Sequence, residues 1–148
     1  MSSIEGEVDP VGDGGAGVCA AVAAAIAAAG FTGVFTTPPS ALFCAEPIVV
    51  SCGAWERRAR FVHGSERGVR EVDVAVCRDT PEAAEAAAQA IEAALRKTSW
   101  EADIAAWHVR MVGCDSTARE PRGRDGSGRW VWGFTLRCEV MRHVGDSA

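Results

Sequence analysis

The chain has 148 residues, 48% of them hydrophobic, and a formal net charge of -5, which fits one domain with its own core and excludes disorder throughout. An acidic chain has no overall basic field to hold nucleic-acid phosphates. No apolar run approaches the roughly 20 residues that a membrane span needs, and the acidic start MSSIEGEVDP is unlike a signal peptide, so the protein is expected in the cytosol when made.

Met1 to Ala16 mix glycine, proline and acids with little periodicity and read as a flexible leader to a single domain over 17–148. From Gly17, residues Val18, Val22, Ala25, Ile26 and Ala29 fall at helical spacing in an alanine stretch closed by Gly30, predicting a first helix whose small residues let it lie close to a sheet. Phe31 to Thr37, ended by Pro38-Pro39, predicts a brief edge strand or an extended connector. Ile48 to Cys52 and Trp55 to Val62 are strand material interrupted at Gly53 by a bulge or turn. His63 to Gly68 supplies turn chemistry, and Val69 to Cys77 alternates, with Val72, Val74 and Val76 opposite Glu71 and Asp73. Together these predict an antiparallel hairpin with one wet face.

Asp79-Thr80-Pro81-Glu82 predicts a helix start: Asp79 or Thr80 caps, Pro81 sits in the first turn, and Glu82 and Glu85 favour the positive end of the dipole. Ala84, Ala88, Ile91 and Leu95 form its buried stripe, with Arg96 and Lys97 in the last turn. Ile104 to Val112 reads as a strand on which Ala105, Trp107, Val109 and Met111 share a face. Asp115 to Gly128 reads as a polar loop standing into solvent or onto a partner. The final strand is long, with Trp130, Trp132, Phe134, Leu136, Cys138 and Val140 on one face and Arg129, Thr135, Arg137 and Glu139 on the other. The expected fold class is α+β, a mixed, mainly antiparallel sheet with two helices packed on one face.

Chemical motifs are sparse. Gly12, Gly14 and Gly17 match the letters of a dinucleotide fingerprint, but the preceding Ile4 to Val11 segment carries acids and Pro10 where that motif needs a buried strand. His63, His108 and His143 stand singly, without zinc spacing, and His108 with Cys114 lacks the glycine turn of an oxyanion site. No catalytic, cofactor or metal residue is therefore assigned. Cys19, Cys44, Cys52, Cys77, Cys114 and Cys138 form no C-x-x-C and read as reduced, buried small hydrophobes. Arg119, Arg122, Arg124 and Arg129 could suggest a phosphate patch. Asp115, Glu120 and Asp125 offset them, and no aromatic residue interleaves within the loop to stack bases. Pairing with acids of a neighbouring subunit, Glu71 or Asp73, is the expected role of these arginines.

The element order, and above all Asp115 to Val144 (DSTAREPRGRDGSGRWVWGFTLRCEVMRHV), resembles the small tail terminator and minor capsid (head-tail joining) proteins of tailed phages. In those proteins an Arg/Pro-rich loop leads into one long alternating strand. The resemblance implies a non-enzymatic virion protein, made in the host cytoplasm. It would form a ring, commonly of six copies, that caps the tail tube, meets the head connector or adaptor proteins and lets DNA pass without specific binding. Two alternatives stay open: a head completion or adaptor protein of the same neck, and a small ferredoxin-like ligand-binding or enzymatic domain.

Overall fold

The computed structural model describes residues 15–61, 64–98, 102–104 and 109–143. In chain order these form α1 (Gly15–Ala28), β1 (Val34–Phe35), β2 (Ile48–Arg60), β3 (Ser65–Arg78), α2 (Pro81–Arg96), β4 (Ala102–Ile104), β5 (Val109–Ser116), β6 (Glu120–Arg124) and β7 (Trp130–His143). The strands make one seven-stranded sheet in the order β1-β2-β3-β7-β5-β4, with β6 also beside β7. Among the described residues only the β1–β2 pairing is parallel. The fold is α+β, as expected from the sequence.

Strand alternation places Val72, Val74 and Val76 of β3 and Phe134, Leu136, Cys138 and Val140 of β7 on one buried face, joined by Ile48 and Val50 of β2 and Met111 of β5. Both helices close over that face. Helix α1 contributes Val18, Cys19, Val22 and Ile26, and α2 contributes Ala88, Ile91 and Leu95. Helix α2 starts where its sequence dictates: the Thr80 side chain accepts a hydrogen bond from the Ala83 N–H at 3.1 Å, and Pro81 opens the first turn. The alternation also turns Glu71, Asp73, Thr135, Arg137 and Glu139 to the uncovered face.

Gly53 does mark a bulge, because the β2–β3 register shifts between Cys52 and Trp55, and the two runs expected beside it join into one strand. Further along the hairpin, Gly68 is required by contact. A Cβ there would lie 2.3 Å from the Glu56 carbonyl oxygen and 2.8 Å from the Trp55 ring.

Several boundaries depart from the sequence expectation. Helix α1 begins at Gly15, inside the expected leader, whose first fourteen residues lie outside the described ones. Ser65 to Gly68, expected in a turn, already belong to β3, because β7 is long enough to pair them with Val140 to His143. Ile104 to Val112 is not one strand. Ala102–Ile104 instead folds back antiparallel on Val109–Met111, and the expected placement of Ala105 and Trp107 lies outside the described residues. The segment from Asp115 to Gly128 is not a polar loop: β5 runs to Ser116 and Glu120–Arg124 forms β6. The reason is the mismatch between β5 and β7. Strand β5 ends opposite Leu136, which leaves the Trp130–Gly133 stretch of β7 free to recruit β6. Of the cysteines, Cys19, Cys77 and Cys138 are buried as expected, but Cys44 and Cys114 are half-buried and Cys52 is exposed. Cys52 lies opposite Val72 of β3, and on its other side, beyond the reach of β1, no described strand runs.

Candidate interaction surface

The uncovered face carries a ladder of opposite charges set by strand register. Arg137 pairs with Glu71 directly opposite at 3.2 Å and with Glu56 at 3.6 Å, and Arg67 reaches Glu139 at 3.0 Å. Arg122 comes from β6 and lies across Gly133 to meet Asp73 of β3 at 2.7 Å. A Cβ on Gly133 would stand 2.6 Å from the guanidinium carbon. The hydrogen bond to Asp73, more than the opposing burial, pushes the Arg122 guanidinium to an even higher pKa than usual.

Beneath this face, the corner where β5 leads into β6 is locked to α2 through Glu92, only 6% exposed. Its carboxylate accepts a hydrogen bond from the Ser116 hydroxyl at 2.6 Å and another from Arg119, with Arg96 at 3.4 Å. Burial raises the pKa of this carboxyl, but the hydrogen bonds from Ser116 and Arg119 and the arginine charges outweigh it, holding the group below the usual range. In the β6–β7 turn, Arg129 clamps Asp125 at 2.6 Å. Burial there likewise opposes a stronger set of hydrogen bonds from Arg129 and Ser127, and Asp125 titrates lower than usual. Arg124 lies over the Trp130 ring, 4.7 Å from its centroid.

Of the six residues singled out from sequence, the structure thus brings Arg122 and Asp73 together within one chain. It gives Glu71 to Arg137, Arg119 to Glu92, Arg129 to Asp125 and Arg124 to Trp130. Glu92 was missed, although an acid bordering the Ile91–Leu95 stripe was the available signal.

A second feature had no expectation attached to it. In the connection from β1 to β2, Leu42 is 101% and Phe43 76% exposed. The segment is nevertheless well braced. The Phe43 N–H donates to the Ser40 carbonyl at 3.0 Å, and the Phe35 and Phe43 rings meet edge-on at 6.0 Å. Arg129 donates to the carbonyls of Cys44 and Ala45 at 3.1 and 3.0 Å, and Arg78 donates to that of Glu46 at 3.2 Å. Alongside it, β1 pairs only with Ile48 and Val49 of β2. Among the described residues, β2 therefore has no outer neighbour from Val50 to Arg60.

No protein-family model matches the chain, and no curated protein sequence does. Among solved structures, a chain of the virion of a native gene transfer agent (GTA) particle is similar. It is 23% identical, with a TM-score of 0.49, over 82% of this chain and 85% of that one. A likeness at this level assigns neither family nor function.

A shallow, open groove of about 390 Å³ lies on the uncovered face, along Arg58, Val69, Gly113, Arg137 and Glu139. A cavity of about 80 Å³ between α2 and β5, lined by Glu92, Leu95, Cys114, Ser116 and Leu136, has space for a few waters rather than a substrate. Among the described residues no three His, Cys, Asp or Glu side chains gather as metal ligands, and His63 and His108 lie outside them. No described helix is long and apolar enough to cross a membrane. Among the described residues, the surface also carries a braced apolar projection, Leu42 and Phe43, beside a strand edge along which no other strand runs.

Proposed function

We propose that this chain is a structural subunit of a phage-like virion, a tail terminator whose copies join in a closed ring on the end of the tail tube and face the head connector. The observation that carries the reading is the outer edge of β2 from Val50 to Arg60, along which no described strand runs, next to the projecting Leu42 and Phe43. An unpaired edge is a template for another chain, and exposed large apolar side chains on a braced segment lose little conformational freedom on docking. The occupant is a second copy. Strand β6, at the opposite flank, pairs only with β7 among the described residues, so each subunit has two different open flanks. Joining unlike flanks is the heterologous contact that closes rings.

In this reading Arg119, Arg122 and Arg129, with Glu71 and Asp73, shape the flank through their internal pairs, and exposed Arg124 meets the neighbour. The resemblance of Asp115 to Val144 to terminator proteins supports the same role and makes six the expected ring number.

Mass photometry across a concentration series, alone and with purified tail tubes, tests the proposal. A ring species in either condition, lost on Leu42→Glu with Phe43→Ser, is the expected result. A monomer under both conditions overturns it.

A further inference from the structure

Cys114 of β5 and Cys138 of β7 are direct cross-strand partners, and their sulfur atoms lie 3.4 Å apart. Directly opposed residues of antiparallel strands have Cα atoms about 4.5–5.5 Å apart, inside the roughly 4.4–6.8 Å range that a disulfide spans. The two thiols differ in access. Cys138 is fully buried. Cys114 is half-buried and borders both the small cavity beneath α2 and a shallow groove on the uncovered face, between Gly113, Asp115, Arg137 and Glu139.

We infer that Cys114 and Cys138 form a site of covalent modification, in which a disulfide reagent of low molecular weight oxidises the pair to an intrachain disulfide joining β5 to β7. The inference stands on register and sulfur contact alone and is independent of the virion reading. The Cys114 thiolate attacks one sulfur of the reagent R–S–S–R; a Cys114–S–S–R bond forms, the R–S–S–R bond breaks, and the first thiolate leaves. The Cys138 thiol then gives its proton to that released R–S⁻ and, as its sulfur attacks the Cys114 sulfur, expels the second R–S⁻. The pair loses two electrons and two protons, and the reagent becomes two R–SH molecules.

The order of attack follows from the site. The hydrogen bond with Cys114, then burial, raise the pKa of the Cys138 thiol, so Cys138 holds its proton until the mixed disulfide has formed. Cys114 is the thiol that a reagent in solvent reaches, and Cys138 is the one positioned to resolve the mixed disulfide. A second thiol contact, between Cys19 of α1 and Cys52 of β2, supplies an internal comparison. Closing it ties a helix to a strand, whereas the Cys114–Cys138 bridge joins residues that the ladder already holds opposite each other.

Incubation of the native protein with oxidised glutathione, followed by denaturing alkylation and peptide mapping, tests the inference. Expected are the loss of two alkylatable thiols, a cross-linked peptide pair containing Cys114 and Cys138, and full reversal by dithiothreitol. Cys138→Ser should stop at a glutathione adduct on Cys114, and Cys114→Ser should leave Cys138 unmodified. The wild-type map stands by itself if either variant fails to fold. The inference is overturned if both thiols remain alkylatable, if the first bridge maps to Cys19 and Cys52, or if Cys138→Ser leaves Cys114 free of adduct.

Discussion

Arg122 reaches Asp73 at 2.7 Å only because residue 133, over which its guanidinium passes, has no side chain. The contact ties β6 to β3 across the intervening strand β7, so a single glycine sets how the β6 flank is held.

Substituting that glycine should displace a flexible side chain rather than the backbone. Gly133→Ala is expected to cost about 1 kcal/mol, the worth of a partly exposed ion pair, and to lose most of that cost in an Arg122→Ala background. Gly68→Ala instead pushes against the Glu56 carbonyl and should cost about 1–3 kcal/mol or more, as overpacking does. Urea unfolding of the variants in a double-mutant cycle checks both the order and the coupling. Equal costs for the two substitutions would contradict the contacts.

Phe134 is fully buried, at the centre of the helix-covered face. Phe134→Ala should destabilise by about 3–5 kcal/mol. Calorimetry showing a loss below about 1 kcal/mol would mean that this side chain is not packed in the core.

Glu92 gives the acid limb of stability a specific origin. Its carboxyl is held below its ordinary value of 4.5 in the folded protein, so the stabilisation is fully present above the unfolded pKa and is lost as pH falls through the folded one. Glu92→Gln should lower stability at neutral pH by about 1.5–3 kcal/mol, as expected for a hydrogen bond to a charged group, and flatten the decline below pH 4.5. Unfolding free energies measured from pH 7 down to pH 3 would show it. An unchanged acid limb would remove Glu92 from the account.

Leu42 touches solvent throughout, so Leu42→Glu should move the folding free energy of the monomer by no more than about 0.5 kcal/mol. Its effect should appear only in assembly, as a drop in the ring fraction at fixed concentration. A fall in monomer stability would show that Leu42 is packed within its own chain.

Much of this architecture was legible because its signals are local. The cap at Thr80, Pro81 and the stripe to Leu95 define α2 within one window, and the alternation from Phe134 to Val140 assigns the inner face of β7 without knowledge of its neighbours. Strand β6 was not legible. Glu120-Pro-Arg-Gly-Arg124 has no alternation and the composition of a loop; it becomes a strand because β7 outruns β5, a fact about two segments remote from it. The same holds for the arginines. Their sequence marks them as cations near acids, but whether Arg122 finds Asp73 in its own chain or in another depends on where β6 is laid down. Leu42 and Phe43 were invisible for the opposite reason: apolar letters near a double proline carry no sign of exposure until the chain around them is folded.

The position of β7 also governs the order of events on the ribosome. It is the last of the described strands to be synthesised, yet it lies between β3 and β5 and supplies the ladder for β6 as well. Until it emerges, β3 has one hydrogen-bonding side unfilled and the valines of the hairpin lack the partners that bury them. The nascent chain must therefore wait for β7 before the described sheet can close, as expected for a topology dominated by non-local pairing. A ribosome stalled ahead of Trp130 would display an open template, which is the species a chaperone or a protease would meet first.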